Sequence, residues 1–155
     1  MLNFPPQRII CLTEETVETL YLLGEEKRIV GVTGYAVRPK RVRLEKQRVG
    51  SFVSGNIKKI KELKPELILT FSDVQANLTK QLILEGFNVI CFNQQSISEI
   101  FSMIKYLGSI VGNIKEAMNL VKKIEKQINL IKKKSDKFKP KVYFEEWDDP
   151  YISAT

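Results

Sequence analysis

The sequence predicts an α/β fold: an open parallel-sheet lobe with flanking helices, then a long backbone helix and the first strand of an incomplete second lobe. Three observations support this fold class. Short apolar runs alternate with segments of helical period over residues 8–95, which is typical of a parallel sheet with right-handed crossovers. From residue 96 to residue 134 the period is helical only. One further strand-like run, Lys141–Glu145, follows that helical segment.

Four short apolar runs have the length and composition of buried parallel strands. They occupy residues 8–12, 28–32, 67–71 and 88–92. The chain has two cysteines, Cys11 and Cys91, and both fall within these runs. We therefore expect both thiols to be small, buried core groups and not members of a disulfide or a metal site.

Three helices are expected between these strands. The first begins after Thr13, whose hydroxyl can cap it, and stops at Gly24. Asn56 can cap the second, a short helix, and the third spans residues 74–85 before Gly86. The apolar positions of each helix recur at helical spacing, so they should face the sheet. These inward positions are Val17, Leu20, Tyr21 and Leu23, then Ile57, Ile60 and Leu63, and finally Leu78, Leu82 and Ile83.

The helical segment after residue 95 divides into two parts. Ser96 and Glu99 have the spacing of a capping box at its start. Gly112 and Asn113 interrupt the apolar stripe, and Asn113 can cap the second part. The two stripes are Ile100, Phe101, Ile104, Leu107 and Val111, and then Ala117, Leu120, Val121, Ile124, Ile128 and Ile131.

Composition limits the class and location of the protein. With 155 residues and 43% hydrophobic content, the chain suits one globular domain with a sizeable core. It contains no run of about 18 apolar residues, so we expect no membrane span. Residues 1–6 have neither the basic start nor the apolar stretch of a signal peptide. The protein is therefore cytoplasmic if Met1 is the native start, and extracytoplasmic, in the periplasm or at the cell surface, if a leader has been removed.

A net charge of +7 raises the question of nucleic-acid binding. Twelve of the 25 lysine and arginine residues lie in one predicted loop and on the second half of the long helical segment. The helical lysines lie opposite the apolar stripe, as on a solvated face, and the loop lacks aromatic side chains that stack on bases. We therefore expect no nucleic-acid partner. The cations are Arg38, Lys40, Arg41, Arg43, Lys46 and Arg48 in the loop, and Lys122, Lys123, Lys126 and residues 132–134 in the helix.

Catalytic chemistry has few candidate residues. The chain has no histidine, which excludes Ser-His-Asp and Cys-His systems and the commonest zinc ligand. The first strand-to-helix turn lacks the glycines of a dinucleotide site. The acidic residues Glu145, Glu146, Asp148 and Asp149 are more typical of a polar loop than of a hard-metal site. We therefore expect no catalytic residues, no metal site and no catalytic cofactor.

Open parallel sheets bind ligands outside the carboxyl ends of their strands. The residues at those ends carry hydroxyl, amide, carboxylate and aromatic groups, which suit hydrogen bonding and stacking on a small ligand. The alternative function is a small α/β enzyme or nucleotide-binding domain that uses the same edge. It would need a catalytic pair among Glu14, Tyr35 and Asp73, and no spacing indicates one. The predicted ligand-binding residues of this edge form the carboxyl rim: Thr13, Glu14, Tyr35, Phe52, Ser72, Asp73 and Asn93.

Several segments resemble one known family. The opening of ABC-transporter substrate-binding proteins of the vitamin B12, haem and iron-siderophore class, the helical-backbone receptor superfamily, resembles this chain at residues 8–13, 16–20, 23–24, 28–35 and 48–52. The most specific segment is Asn56-Ile57 with residues 59–69, which read Lys-Ile-Lys-Glu-Leu-Lys-Pro-Glu-Leu-Ile-Leu. The order and spacing of these segments agree with the family over nearly the whole chain, and the cobalamin-binding type is the most similar.

This resemblance implies two α/β lobes joined by one long helix, with the ligand in the cleft between the lobes. Residues 1–95 would form the N-terminal ligand-binding lobe, residues 96–139 the connecting backbone helix region, and residues 140–155 the start of a truncated second lobe. Trp147 would lie in the first second-lobe loop that faces the cleft. The implied function is the substrate-binding component of an ABC importer, without enzyme activity, for a metal chelate such as cobalamin, haem or a ferric siderophore.

Two partners follow from these predictions: a permease and a second copy of the chain. Family members usually dock on an ABC permease through an acidic residue near the start of the helix after the third strand. The matching stretch, residues 74–77, has no acid and only Asp73 lies close by, so the sequence departs from the family at this point. A lone strand at Lys141–Glu145 would leave apolar side chains uncovered, which favours a homodimer through the incomplete second lobe.

Overall fold

The computed structural model describes residues 4–135, 141–148 and 151–153. The chain divides into two compact units, residues 1–122 and residues 123–155. The first unit contains a parallel sheet with flanking helices, and the second contains the end of the last helix and an antiparallel strand pair. Within the described ranges, every helix is too short or too polar to cross a lipid bilayer.

Strands and helices alternate along the first unit, as predicted. In chain order the elements are β1 (Ile9–Cys11), α1 (Glu14–Leu22), β2 (Ile29–Thr33), α2 (Val42–Glu45), β3 (Arg48–Gly50), α3 (Ile57–Glu62), β4 (Leu67–Phe71), α4 (Ala76–Leu84), β5 (Val89–Phe92), α5 (Ile97–Ile110), α6 (Ile114–Ser135), β6 (Glu145–Asp148) and β7 (Tyr151–Ser153). The four predicted strands are confirmed as β1, β2, β4 and β5. The short elements α2 and β3 lie where the sequence predicts only a basic loop.

The five strands of the first unit form one parallel sheet in the order β3-β2-β1-β4-β5. The sequence does not predict β3, because this strand has three residues and a single buried side chain, Val49, which is too short to show a period. An antiparallel bridge between Gly50 and Gly55 closes this edge. The opposite edge, β5, has no further strand partner among the described residues.

Buried aliphatic side chains cover the central strands and hold the helices against them. One cluster joins β1, β3 and β4 to α3 and α4: Ile10, Leu12, Val49, Ile60, Ile68, Leu78 and Leu82. Each side chain of this size stabilises the fold by about 1.5–3 kcal/mol when it is fully buried. The inward positions predicted for α1, Val17, Leu20, Tyr21 and Leu23, are also buried.

Two predictions of burial are wrong. Ile83 is 56% exposed, because it lies about 100° around α4 from the buried Leu82 and so faces away from the sheet. Cys91 is exposed whereas Cys11 is buried. The difference arises because Cys11 belongs to the central strand β1, while Cys91 belongs to the edge strand β5.

Two of the four predicted helix caps are confirmed, those at Asn56 and Ser96. The Asn56 side chain accepts a hydrogen bond from the Lys59 amide at 3.0 Å, and the Ser96 hydroxyl accepts one from the Glu99 amide at 3.3 Å. Thr13 makes no side-chain cap. Its hydroxyl instead pairs with the Thr16 hydroxyl at 3.0 Å, so this group is used inside the lobe.

The predicted break in the long helical segment is confirmed, and it separates α5 from α6. Gly112 has a φ of +77°, a conformation that favours glycine. The Asn113 side chain donates to the Leu23 carbonyl and to the Glu25 carboxylate, both at 3.1 Å. Most of the stripe near the break is buried, namely Ile104, Leu107, Val111, Ala117 and Val121, whereas Ile100 and Ile131 are exposed.

Charged side chains hold the amino end of the sheet together. Arg8, just before β1, donates from Nε to the Leu63 carbonyl at 3.0 Å. Arg28, just before β2, donates to the Pro6 carbonyl at 2.9 Å and pairs with Glu25 at 2.6 Å. Bonds of this kind satisfy carbonyl groups at chain turns and fix the turns in place.

In the second unit, β6 and β7 pair in antiparallel register. The predicted strand at Lys141–Glu145 is therefore wrong in position, because β6 begins at Glu145 and residues 141–144 form no strand. A strand needs a ladder partner, which β6 has in β7 and residues 141–144 lack among the described residues.

This shift changes the predicted environment of two groups of residues. Trp147 lies within β6 and not in a loop. Val142, Tyr143 and Phe144 precede the strand and are 81%, 72% and 63% exposed. Asp149, a member of the acidic group near the end of the sequence, lies outside the described residues.

Candidate functional site

The carboxyl rim lies at one end of the sheet because all five strands run parallel. Each member follows the end of a strand: Thr13 and Glu14 after β1, Tyr35 after β2, Phe52 after β3, Ser72 and Asp73 after β4, and Asn93 after β5. The topology therefore brings these residues to the same edge. Contact with a ligand stays a prediction for each of them.

Two rim residues form an aromatic pair. The ring centroids of Tyr35 and Phe52 are 6.3 Å apart with an interplanar angle of 81°, which is a favourable edge-to-face geometry. The loops that carry them are joined by a hydrogen bond from the Gly34 amide to the Gly50 carbonyl at 2.8 Å. Tyr35 is 62% exposed, so the pair presents aromatic surface to solvent at the rim.

Ser72 forms a strained turn at the end of β4. Its φ is +51°, a region that costs on the order of 1–3 kcal/mol for a residue with a side chain. Its amide donates to the Phe92 carbonyl at 2.7 Å, and its hydroxyl accepts from the Val74 amide at 3.3 Å. These bonds hold the turn that carries Asp73 against the end of β5.

A cavity of about 500 Å³ lies between α4 and β5, beside this turn. Its lining is mainly apolar but includes Asp73, Lys80, Cys91 and Asn93. Asp73 and Asn93 therefore share one concave surface, as the sequence predicts for neighbouring strand ends.

Thr13 and Glu14 differ in accessibility. Thr13 is fully buried, so its side chain lies beneath the rim surface. Glu14 is partly exposed and pairs with Arg38 at 3.0 Å. The hydrogen bond that Arg38 donates to Glu14 and the nearby Glu18 carboxylate raise the pKa of Arg38. The Glu14 carboxylate is thus neutralised by a cation of the basic loop.

The basic loop is partly neutralised by acidic side chains of the lobe. Arg41 pairs with Glu26 at 3.2 Å and with Glu45 at 3.3 Å. Its guanidinium also lies 4.8 Å from the ring centroid of Tyr21. Burial and the hydrogen bond to Glu45 raise the pKa of the Tyr21 hydroxyl. These contacts hold α2 on the lobe and are typical of a structural use of the cations.

The rim residues carry polar and aromatic groups that can contact a small ligand. No cluster of three metal-ligating side chains occurs among the described residues. Burial raises the pKa of the Cys11 thiol to about 12, so this thiol is protonated at neutral pH and is a poor nucleophile. What remains is a set of hydroxyl, amide, carboxylate and aromatic groups, which recognise a ligand by hydrogen bonding and stacking.

Gln75 is not among the residues predicted from the sequence, and its side chain is fully buried close beneath the rim. This residue lies in a 3-10 turn, Asp73–Gln75, that leads into α4. The sequence does contain a pattern that could have indicated its burial. Gln75 precedes the buried Leu78 and Leu82 by three and seven positions, so it shares their helix face. A glutamine on a buried face requires hydrogen-bond partners inside the fold.

Two curated proteins are similar to this chain. One is an uncharacterised ABC transporter substrate-binding lipoprotein, YvrC, of Bacillus subtilis (strain 168), which is 34% identical over 116 residues, or 72% of this chain and 36% of that protein. The other is the vitamin B12-binding protein of Vibrio cholerae, which is 32% identical over 112 residues, or 71% of this chain and 40% of that protein. The chain therefore aligns with less than half the length of these relatives.

Two solved structures share the fold. The periplasmic vitamin B12-binding protein BtuF of Vibrio cholerae matches with a TM-score of 0.84 at 24% identity. A possible iron-binding, periplasmic solute-binding protein of Staphylococcus epidermidis matches with a TM-score of 0.81 at 28% identity. Each match covers 97% of this chain and 60% of the other.

The family of the chain follows from a match that extends well beyond the rim. Residues 9–155 match the model of the family described as periplasmic binding protein. This range includes every strand of the parallel sheet and the whole carboxyl rim. With that match and two relatives above 30% identity, the chain belongs to the periplasmic binding protein family.

Proposed function

We propose that the protein is the substrate-binding component of an ABC importer for a cobalamin, haem or iron-siderophore type ligand. The observation that carries this proposal is the Tyr35–Phe52 pair, with Tyr35 exposed and Phe52 half-buried, beside polar strand ends on the sheet edge where α/β folds bind ligands. A flat metal chelate offers both a large face for aromatic contact and polar groups for hydrogen bonds. The names of the vitamin B12-binding relatives support this ligand class.

Each rim residue has a proposed role. Tyr35 and Phe52 contact the ring system of the ligand. The polar substituents of the ligand form hydrogen bonds with Ser72, Asp73 and Asn93. Glu14 contacts the ligand as one member of its ion pair with Arg38. Thr13 supports the first turn from beneath, since its side chain is buried. Trp147 is proposed as a ligand contact from the second lobe.

The proposal includes a domain assignment, a partner and a location. Residues 1–95 are the ligand-binding lobe, residues 96–139 the connecting region, and residues 140–155 the start of a second lobe. The protein would act outside the cytoplasm and dock on an ABC permease, as its family implies. It would act by binding and release, not by catalysis. The enzyme alternative has little support, because Glu14 and the nearby Glu18 both pair with Arg38, so these carboxylates are engaged in ion pairs.

A titration tests the ligand class directly. Cyanocobalamin, haemin and a ferric catecholate siderophore are titrated into the protein by calorimetry, with ATP as the probe for a nucleotide-binding domain. At least one of the first three should bind, and ATP should not. Binding of ATP alone, or of no probe, contradicts the proposal.

A variant pair tests the role of the rim. Tyr35→Ala should weaken binding of the chelate by about threefold to tenfold, because an aromatic contact contributes about 0.5–1.5 kcal/mol. Its melting temperature should stay close to the wild-type value, since Tyr35 is 62% exposed. The matched control is Phe4→Ala, an aromatic residue that is 80% exposed and lies near the amino end of the sheet. Equal affinity for both variants would remove Tyr35 from the site.

We also propose that Val142, Tyr143 and Phe144 mediate association of two copies. The supporting observation is their exposure, because three adjacent exposed apolar side chains are unfavourable in water. Sedimentation velocity compares the wild type with a variant that carries serine at all three positions. A wild-type protein that is monomeric at high concentration would contradict this homodimer.

A further inference from the structure

Gln75 makes three hydrogen bonds with its buried side chain. Nε2 donates to the Leu12 carbonyl at 3.0 Å and to the Phe52 carbonyl at 2.5 Å. Oε1 accepts from the Phe71 amide at 2.9 Å. The orientation of the amide is determined by its partners, since carbonyl oxygens only accept and the backbone amide only donates.

These three partners are rim residues or the immediate neighbours of rim residues, and they lie in three different segments of the chain. Leu12 immediately precedes Thr13 and Glu14, and Phe71 immediately precedes Ser72. Phe52 is itself a rim residue and forms the aromatic pair with Tyr35. One neutral side chain therefore joins the ends of β1 and β4 to the loop that follows β3.

The loop of Phe52 depends on this bond more than the two strand ends do. The strand ends are also held by the sheet ladder. The hydrogen bonds of the loop are otherwise mostly local, such as that from the Ser51 amide to the Ser54 carbonyl at 2.9 Å. Among the described residues, it is the Gln75 side chain that connects the Phe52 carbonyl to the body of the lobe.

We propose that Gln75 is a positioning residue that holds the Phe52 loop, and with it the Tyr35–Phe52 pair, in the arrangement that receives the ligand. An apolar side chain would satisfy the core as well as glutamine does, but it would leave two carbonyls and one amide without partners. The ligand part of this inference rests on the proposed function. The positioning part concerns the rim itself and can be measured without a ligand.

Three variants separate positioning from general stability. Gln75→Met keeps the size of the side chain and removes all three hydrogen bonds. Gln75→Glu keeps the acceptor for the Phe71 amide, but a protonated carboxyl donates to only one carbonyl. The control is Thr79→Val on α4, which removes the hydrogen bond of 2.9 Å from Thr79 to the Thr70 hydroxyl and leaves the three hydrogen bonds of Gln75 in place.

Residue-resolved hydrogen exchange of the full chain gives the first readout. In Gln75→Met, the amides of Ser51 and Phe71 should exchange about threefold to tenfold faster than in wild type, the change expected from one lost hydrogen bond. In Gln75→Glu, only the Ser51 amide should accelerate, and by less. Thr79→Val should leave both amides at the wild-type rate. Wild-type exchange at Ser51 in Gln75→Met, or equal acceleration in Thr79→Val, would overturn the inference.

Calorimetric titration with cyanocobalamin, haemin and a ferric catecholate siderophore gives the second readout. For whichever probe binds the wild type, Gln75→Met should bind several-fold more weakly than the wild type. Equal affinities would overturn the ligand part of the inference even if exchange at Ser51 is faster. If no probe binds the wild type, the proposed function fails, while the exchange rates still decide whether Gln75 positions the loop. If Gln75→Met does not fold, Gln75→Glu gives the same comparison.

Discussion

At the amino end of the sheet, the side chains of Arg8 and Arg28 are bonded to backbone carbonyls, whereas at the carboxyl end Tyr35 and Asp73 face solvent. The two ends are built from the same strands and the same kinds of connecting turn. They differ in what their polar groups contact. The amino end uses charge to fasten one turn to another, and the carboxyl end fastens its turns from beneath with the neutral amide of Gln75.

This difference indicates that the amino end of the sheet serves the stability of the lobe and the carboxyl end serves ligand recognition. A side chain that is bonded to the backbone stabilises the fold but has no group left for a ligand. Polar and aromatic side chains on exposed loops add little stability and can accept a ligand. Substitutions at the amino end should therefore lower stability, and exposed substitutions at the carboxyl end should mainly alter binding.

The largest expected effect is at Arg28. Arg28→Met removes the ion pair with Glu25 and the bond to the Pro6 carbonyl, and both charged side chains are less than one fifth exposed. We expect the free energy of unfolding to fall by about 2–4 kcal/mol, because the mostly buried Glu25 carboxylate loses its cation and keeps the neutral amide of Asn113, and the Pro6 carbonyl loses the Arg28 hydrogen bond. Urea unfolding measures this change. The exposed neighbour Lys27 provides the control, as Lys27→Met should change stability by less than about 0.5 kcal/mol. Similar losses in both variants would show that the amino end does not depend on Arg28.

The next effect concerns the strained turn at Ser72. With φ at +51°, Ser72→Ala should be less stable than Ser72→Gly by about 1 kcal/mol, because glycine adopts this conformation without a steric penalty. Both variants lack the hydroxyl, so the comparison isolates the backbone. Thermal and urea unfolding of the two variants give the difference.

The control for Ser72 is Ser102, an exposed position within α5. There the order should reverse, with the alanine variant about 1 kcal/mol more stable than the glycine variant. If alanine is also the more stable residue at position 72, the turn is not strained in solution.

The smallest effect is a pH dependence of stability that arises from Glu99. This residue follows β5 at the start of α5, and its carboxylate is hydrogen-bonded to a backbone group, as the arginines of the amino end are. The Gln95 amide donates to the Glu99 carboxylate at 2.6 Å. This bond, with a further one from Ser96, lowers the Glu99 pKa below its ordinary value of 4.5. A lowered folded-state pKa stabilises the fold above pH 4.5, and this stability is lost as the pH falls through the folded-state value.

Urea unfolding between about pH 3 and pH 7, a range that spans the ordinary pKa values of carboxylates, tests this prediction. Glu99→Gln should lose stability less steeply than wild type on the acidic side. Ser109→Ala, an exposed change on the same helix that leaves every carboxylate in place, should keep the wild-type slope. Identical slopes for Glu99→Gln and wild type would show that the capping bond is not formed in solution.

Much of the rim could be predicted from the sequence, since a parallel sheet brings its carboxyl ends together whatever its loops contain. Tyr35, Ser72 and Asn93 could be identified simply because they follow apolar runs. The solvent accessibility of each rim residue could not be predicted in this way. Thr13 and Asp73 occupy equivalent places after their strands, but Thr13 is buried and Asp73 is exposed.

The sequence by itself determined the alternation of strands and helices, the break near Gly112 and the caps at Asn56 and Ser96. Those features depend on residues within a few positions of each other, and local spacing is visible in any single sequence. Only the tertiary structure decided the rest. The bonds of Gln75 join residues 63 and 23 positions apart, and the exposure of Cys91 depends on which strand forms the edge of the sheet. Such contacts arise from packing between distant segments, for which no local period exists.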